Sequence, residues 1–284
     1  MQIGLSTYSL AGALADGRVG LLDLPGWAAS HQAGHLEVAE AGLGVDLSAD
    51  QAAAEGLRER AEESGIALVN YVVGADFLGT DPAAEIVRVK THLDTAHRMG
   101  ISRFRHDVVP WAWRPTSYAE YRDAFEKVLP ASRELAEHAA TLGITTSVEN
   151  HGMAFNVSER LLQLVHAVDR ENFKITLDIG NFLCVDERPE SAVAKLLPYA
   201  SVVHLKDFYR RKRSPGGGWL QTLAGDHIQG SVFGLGDMDL PRVLRLIKDF
   251  GFSGPCSVEY EGREDCLTAT PESLRNAVTL WEGC

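Results

Sequence analysis

Residues 145–152 read TTSVENHG, and the way this run ends decides the fold. A strand-like composition closing on Val148 gives way at once to three adjacent polar groups, Glu149, Asn150 and His151. Seven other runs have the same β-rich character: QIGLST from residue 2, HLEVAE from 35, IALVNYVV from 66, SRFRHDVV from 102, FKITLDI from 173, ASVVHLKD from 200 and GPCSVEYE from 254. Between them the apolar residues recur at helical spacing. The clearest case is Tyr118, Tyr121, Phe125, Val128, Leu129, Leu135, Ala139 and Leu142, which stops at Gly143. Asp81-Pro82 and Thr270-Pro271 read as helix N-caps with proline in the first turn, while Gly100 and Gly251 sit where a helix would hand over to a strand. Eight strand-then-helix units without a linker-like shift in composition predict an α/β fold, a single (β/α)8 TIM barrel over residues 1–284. A doubly wound open sheet fits less well, because SLAGALADG after the first strand is no GxGxxG turn.

Composition narrows the function. A chain of 284 residues with 45% hydrophobic residues can bury a large core, as an enzyme-sized globule does. The formal charge of -12 repels phosphate backbones, and Arg210 to Arg213 is too short a basic run to reverse it, which argues against a nucleic-acid partner. The N-terminus lacks a basic leader, and nowhere do roughly 18 apolar residues run together as a membrane helix needs, so the expectation is a cytoplasmic protein with no membrane partner. Cys184, Cys256, Cys266 and Cys284 form no CxxC pair and read as ordinary thiols of a reducing compartment.

In a barrel of this kind, side chains at the C-terminal ends of the strands face the active-site mouth. Here those ends offer Glu40, Asn70, His106 with Asp107, Glu149 with Asn150 and His151, Asp178 with Asn181, His204 with Lys206 and Asp207, and Glu259 with Glu261. Two glutamates, one aspartate and one histidine from four successive strands would make an oxygen-rich site with one imidazole. That set suits Mn²⁺ or Mg²⁺, with Co²⁺ or Zn²⁺ as the less fitting ions.

In their order and spacing, SVENHG, TLDIGNF, VVHLKD and SVEYEG resemble the motifs of the xylose-isomerase-like TIM-barrel superfamily, which includes sugar isomerases, ketose 3-epimerases, inosose dehydratase and the endonuclease IV group. The resemblance implies that Glu149, Asp178, His204 and Glu259 bind one divalent metal, and, in the epimerase branch, that Glu149 and Glu259 also exchange a proton with substrate carbon. The endonucleases carry a histidine three residues after the sixth-strand aspartate. Asn181 stands there, and Asp226-His227 lacks their Asp-x-His spacing, so DNA repair is not expected.

Such a pair suits enediolate chemistry on a small-molecule sugar or keto-sugar, by isomerisation or epimerisation. A lyase or dehydratase acting on a keto-inositol or 3-keto-glycoside, or a non-catalytic sugar-binding barrel, are the alternatives. Around the metal, His106 and Asp107 would line the mouth, with Arg105 structural on the alternating face. His151 would orient Glu149 or touch a hydroxyl, Asn181 would contact substrate, and Lys206 would supply an electrophile or proton or else pair with Asp207. Trp111 and Trp113 of PWAWRP could stack on a sugar ring, Trp113 being the candidate substrate residue, or could serve packing or the subunit contact of a homo-oligomer. His92, His97 and His138 read as helix residues without a role, and Asp239 as an N-cap. The segment 208–237 is long for a loop after the seventh strand, as lids and binding loops are, and its basic run reads as solvated.

Overall fold

A computed structural model describes residues 3–284. Eight parallel strands close into a barrel: β1 (Ile3–Ser6), β2 (Leu36–Ala39), β3 (Leu68–Val73), β4 (Arg103–His106), β5 (Thr145–Glu149), β6 (Phe173–Asp178), β7 (Ala200–Leu205) and, after an excursion, β11 (Cys256–Val258). Each strand hydrogen-bonds to its neighbours in sequence order, and β11 closes the ring between β7 and β1. The fold is therefore a TIM barrel. Helices cover its outside, and the outward strand residues Val38, Phe104, Val148, Ile175, Leu177 and Val203 are buried against them in one continuous core.

The local signals explain the helix borders. Asp81 accepts a hydrogen bond from Ala84 N (3.0 Å) at the start of the helix Pro82–Arg98, and Ser117 accepts one from Glu120 N (3.1 Å) before the helix Tyr118–Thr141. Asp239 caps Leu240–Phe250, which ends on Gly251 in the left-handed region. Thr270-Pro271 behaves differently from expectation. The last helix begins earlier, at Cys266, capped by Asp265 accepting from Leu267 N (3.0 Å), and Pro271 lies inside it. Proline there removes a single i→i−4 bond, a loss the buried packing of Pro271 and Leu274 offsets.

The segment after β7 carries more structure than its glycine-rich composition suggests. It forms an antiparallel sheet of β8 (Phe208–Arg211), β9 (Leu220–Gln221) and β10 (His227–Gly230), with β10 central. Three of the four basic residues are paired within this excursion: Arg210 with Asp226 (2.6 Å), Lys212 with Asp226 (3.0 Å) and Arg211 with Asp237 (2.7 Å). Among the described residues, no helix is long and apolar enough to cross a membrane, and the four cysteines are free thiols.

Inside the barrel, close packing begins at its N-terminal end. Gly4 faces His35, whose Nε2 meets Ser257 Oγ at 3.0 Å, and a Cβ at Gly4 would lie 2.2 Å from the imidazole. Gly4→Ala should therefore destabilise the protein by about 1–3 kcal/mol through overpacking. Chemical denaturation checks this, and an unchanged midpoint would show that the imidazole can move aside.

Candidate metal centre and active site

Four neighbouring strands bring the site together. Glu149 ends β5, Asp178 ends β6, His204 lies near the end of β7, and Glu259 follows β11, so the two glutamates occupy the outer places of the group. One donor atom from each of these four buried residues falls within 4.8 Å of the others. Asn150 locks the two strand ends that hold Glu149 and Asp178: its Nδ2 donates to Asp178 O (2.8 Å), and its Oδ1 accepts from Asp178 N (2.8 Å). Asp178 Oδ1 accepts from Gly180 N (2.7 Å) and Asn181 N (2.9 Å), which turns Oδ2 inward with no hydrogen bond of its own.

The histidine is oriented from behind. His204 Nε2 lies 2.9 Å and 3.1 Å from the two oxygens of Glu37, a fully buried residue of β2 that also accepts from Asn70 Nδ2 (2.8 Å). A carboxylate on Nε2 keeps a proton on that nitrogen, so Nδ1 is the one that would give up its proton and serve as a metal ligand. That atom, buried and without a hydrogen bond, lies 3.6 Å from Glu149 Oε1 and 3.7 Å from Glu259 Oε1. His204 Nδ1, without a hydrogen bond, and Asp178 Oδ2, met only by the Lys206 ammonium at 3.3 Å, are buried beside two further carboxylates, a donor set that suits a divalent cation. The residues present fit such an ion, and the cluster could hold one.

Charge surrounds this space in alternating sign. Burial would raise Glu149, but the Arg105 guanidinium (Nε to Oε2, 2.8 Å) and His204 outweigh it and hold the carboxyl well below the usual carboxylate range. Burial likewise opposes ionisation of Glu259, and Lys206 (Nζ to Oε2, 2.7 Å) with His204 reverses the effect. Asp178 is pushed up to about 6 by burial, against the pull of Lys206. Lys206 and His204 are raised well above their ordinary values, because the surrounding carboxylates overcome the cost of burying a cation.

The expected substrate residues separate into two groups. Arg105, not His106, points into the barrel, because β4 pairs Arg105 with Ser147 and His106 with Val148, placing Arg105 on the Glu149 face. His106 is turned outward among Phe77, Phe104 and Phe173, with Nδ1 on Asp107 O (2.7 Å). Burial among these rings pushes its imidazole down to about 4. His151 lines the cavity and contacts Asp107 (Nδ1 to Oδ1, 3.1 Å), not Glu149, and Asp107 in turn pairs with Arg105 (2.8 Å). Asn181 links Glu149 Oε1 (3.0 Å) to Lys206 Nζ (3.4 Å). Lys206 pairs with Glu259, Asp178 and Glu261 rather than Asp207. Trp113 packs against the core, whereas Trp111 lines a neighbouring cavity that shares His151 and Lys206 with this one.

Two contributors lie outside the residues expected from strand ends. Glu37 sits within a strand, signalled only by a carboxylate inside the apolar run LEVA. Tyr8 follows β1, lines the cavity and donates to Glu261 Oε1 (3.3 Å). Glu40 instead joins Asp46 and His92 outside this centre, where Tyr71 (3.2 Å) and Arg88 (3.1 Å) already engage both ring nitrogens.

A closed parallel barrel with a carboxylate and imidazole cluster at the C-terminal ends of its strands defines the class. The chain belongs to the xylose isomerase-like TIM barrel family, which it matches over residues 26–281. No curated protein sequence matches it. Among solved structures it is similar to the apo form of 3-keto-D-glucoside 4-epimerase from E. coli, with 15% identity, a TM-score of 0.74 and 100% of each chain covered. It is also similar to a D-allulose 3-epimerase from Methylomonas sp. (17% identity, TM-score 0.73, 99% of this chain and 98% of that one). A xylose isomerase-like TIM barrel protein from Mycobacterium smegmatis, in complex with magnesium, gives 18% identity and a TM-score of 0.70 over 99% of this chain and 97% of that one. At these identities the likeness is one of fold.

The Glu37 contact generates a test. Glu37→Gln can donate to His204 and so disturb which nitrogen keeps its proton, and loss of such an outer partner costs about 10–100-fold in metal affinity. Titration calorimetry with Mn²⁺ should show that loss, whereas unchanged affinity would leave Glu37 a packing residue.

Proposed function

We propose that the protein is a divalent-metal-dependent isomerase or epimerase acting on a sugar or keto-sugar. The observation that supports this reading is that two carboxylates, Glu149 and Glu259, both lie beside His204 Nδ1, at 3.6 Å and 3.7 Å. A binding protein has no need of two carboxylates flanking one ion. The oxygen-rich donor set favours Mn²⁺ or Mg²⁺ over Co²⁺ or Zn²⁺. A cation held by Glu149, Asp178, His204 and Glu259 would polarise the substrate oxygens and stabilise the charge that develops on them by several kcal/mol.

The chain's own residues then divide the work. Either glutamate can act as the proton acceptor, because Arg105 beside Glu149 (2.8 Å) and Lys206 beside Glu259 (2.7 Å) favour the ionised carboxylate. One takes the proton from the carbon beside the carbonyl, leaving an enediolate. The other, once it has taken a proton from solvent, delivers it to the opposite face and inverts that carbon; delivery to the neighbouring carbon, with the hydroxyl proton passing to the former carbonyl oxygen, isomerises the sugar. Lys206, charged and lining the cavity, sets a positive charge beside the developing oxyanion. Asn181 restrains Glu149, and His151, fixed by Asp107, is placed to meet a substrate hydroxyl. Fold neighbours that include a 3-keto-D-glucoside 4-epimerase and a D-allulose 3-epimerase are consistent with this assignment.

A lyase reading is favoured by one feature. Against burial, which would lower it, Asp107 raises His151 from the ordinary imidazole value, so an imidazole that holds its proton more firmly lines the cavity and could assist loss of a β-hydroxyl as water. NMR in D₂O with Mn²⁺-loaded protein and a panel of ketoses and 3-keto-glycosides separates the outcomes: deuterium enters substrate carbon in epimerisation, and a dehydrated product appears in elimination. Glu149→Gln keeps an oxygen for the ion but loses the basic carboxylate, so exchange should fall by about 10²–10⁴-fold while metal binding weakens only partly. Near-normal exchange with the metal in place would make Glu149 a ligand alone and move the proton transfer elsewhere.

A further inference from the structure

The site described so far accounts for an inner chamber of about 140 Å³ around Glu149, His151, Lys206 and Glu259. It does not account for the chamber beyond. His151, Lys206 and Glu261 also line a second cavity, of about 380 Å³, which shares this wall with the first and is the larger of the two. Its size falls in the range of about 300–1,000 Å³ that takes organic ligands larger than a single sugar ring.

The walls of this outer chamber have their own chemistry. Phe208 and Leu220 of the antiparallel sheet line it over Ile228, which is fully buried beneath them, and Trp111 lines it from the loop after β4. Gln229 and Arg263 add polar groups to the lining. A free monosaccharide held at the metal centre would leave the apolar surface of Trp111 and Leu220 against water. A flat apolar ring would remove them from it and could stack on the indole.

The chamber is also held open in a fixed shape. Asp207, directly after Lys206, accepts from Phe208 N (2.8 Å), Gly234 N (3.0 Å) and Gly236 N (2.8 Å), so one buried carboxylate clasps both ends of the excursion to the barrel. Asp186 accepts from Thr222 Oγ1 (2.8 Å) next to β9, and Arg263 Nη1 donates to Gly217 O (3.2 Å) at the rim. Trp111 is anchored through its backbone: Met153 N donates to Trp111 O (3.0 Å), an approach that needs glycine at 152, where φ is +72° and a Cβ would lie 2.5 Å from that oxygen. A wall fixed at this many points is preorganised for a ligand, unlike a loop that must fold over one.

We propose that the substrate is a glycoside whose sugar lies at the metal centre and whose planar, apolar aglycone fills the outer chamber between Trp111, Phe208 and Leu220. This rests on the inner chamber being the sugar site. The test is binding, measured apart from turnover, with Mn²⁺-loaded protein and four probes: 4-nitrophenyl and methyl β-D-glucopyranoside, and the 3-keto form of each. The nitrophenyl member of each pair should bind at least about tenfold more tightly than the methyl member. Trp111→Ala and Leu220→Ser should each bring the ratio to within about threefold of unity. Equal affinities in the unsubstituted protein, a ratio that neither substitution lowers, or no measurable binding of any probe would overturn the proposal. Deuterium exchange followed in the same samples keeps the two readings apart. Exchange without an aryl preference refutes the aglycone chamber alone, and an aryl preference lost in both variants but without exchange refutes the isomerase reading alone.

Discussion

Carboxylates gathered on a barrel axis repel one another, and the rest of this site is arranged around that repulsion. Glu37, Glu149, Asp178 and Glu259 are all buried within a short distance of one imidazole. Burial and like charge both disfavour ionisation there. Two cations answer them, and each has a second task. Arg105 pairs with Glu149 on one side and with Asp107 on the other, and Asp107 holds His151. Lys206 pairs with Glu259 and with Glu261, and Glu261 accepts from Tyr8. The charge balance of the centre thereby fixes the polar lining of the cavity. Asp178, pushed up to about 6, marks where that balance is least complete, and a divalent ion at this point would relieve it.

The barrel supplies what an open loop cluster could not. Adjacent strand ends set the spacing of Glu149, Asp178, His204 and Glu259 through the backbone ladder itself, with Asn150 binding β5 to β6 directly. Glu37 reaches His204 from across the barrel, so the imidazole is held from both its own strand and an opposite one. The excursion after β7 adds a wall that the barrel lacks, and Asp207 couples that wall to the strand bearing Lys206. Chemistry and enclosure thus depend on neighbouring residues of one short stretch, HLKD.

Much of this is legible in the sequence because strand ends and helix caps have local signatures. The eight barrel strands, the caps at Asp81 and Asp239, and the glycine end at Gly251 follow from composition and spacing. The polar residues that end β5, β6 and β7 and follow β11 converge because alternation and register carry them to one face. Register is also where the reading failed. SRFRHDVV can be aligned with either Arg105 or His106 inward, and only the pairing of Arg105 with Ser147 decides it. Glu37 was hidden because it stands inside a strand, where an apolar run gives no reason to single out one carboxylate. Trp111 and Trp113 differ by the course of a loop, and the antiparallel sheet within 208–237 depends on side-chain clasps far apart in sequence.

The central claim is that Glu149, Asp178, His204 and Glu259 form one divalent-metal centre. Mn²⁺ titration of chelator-treated protein, followed by calorimetry alongside a folded Asp178→Ala, His204→Ala double variant, addresses it most directly. The account predicts about one ion bound per chain in the unsubstituted protein and a loss of that binding in the variant. Full occupancy in the variant, or no binding in the unsubstituted protein, would contradict it.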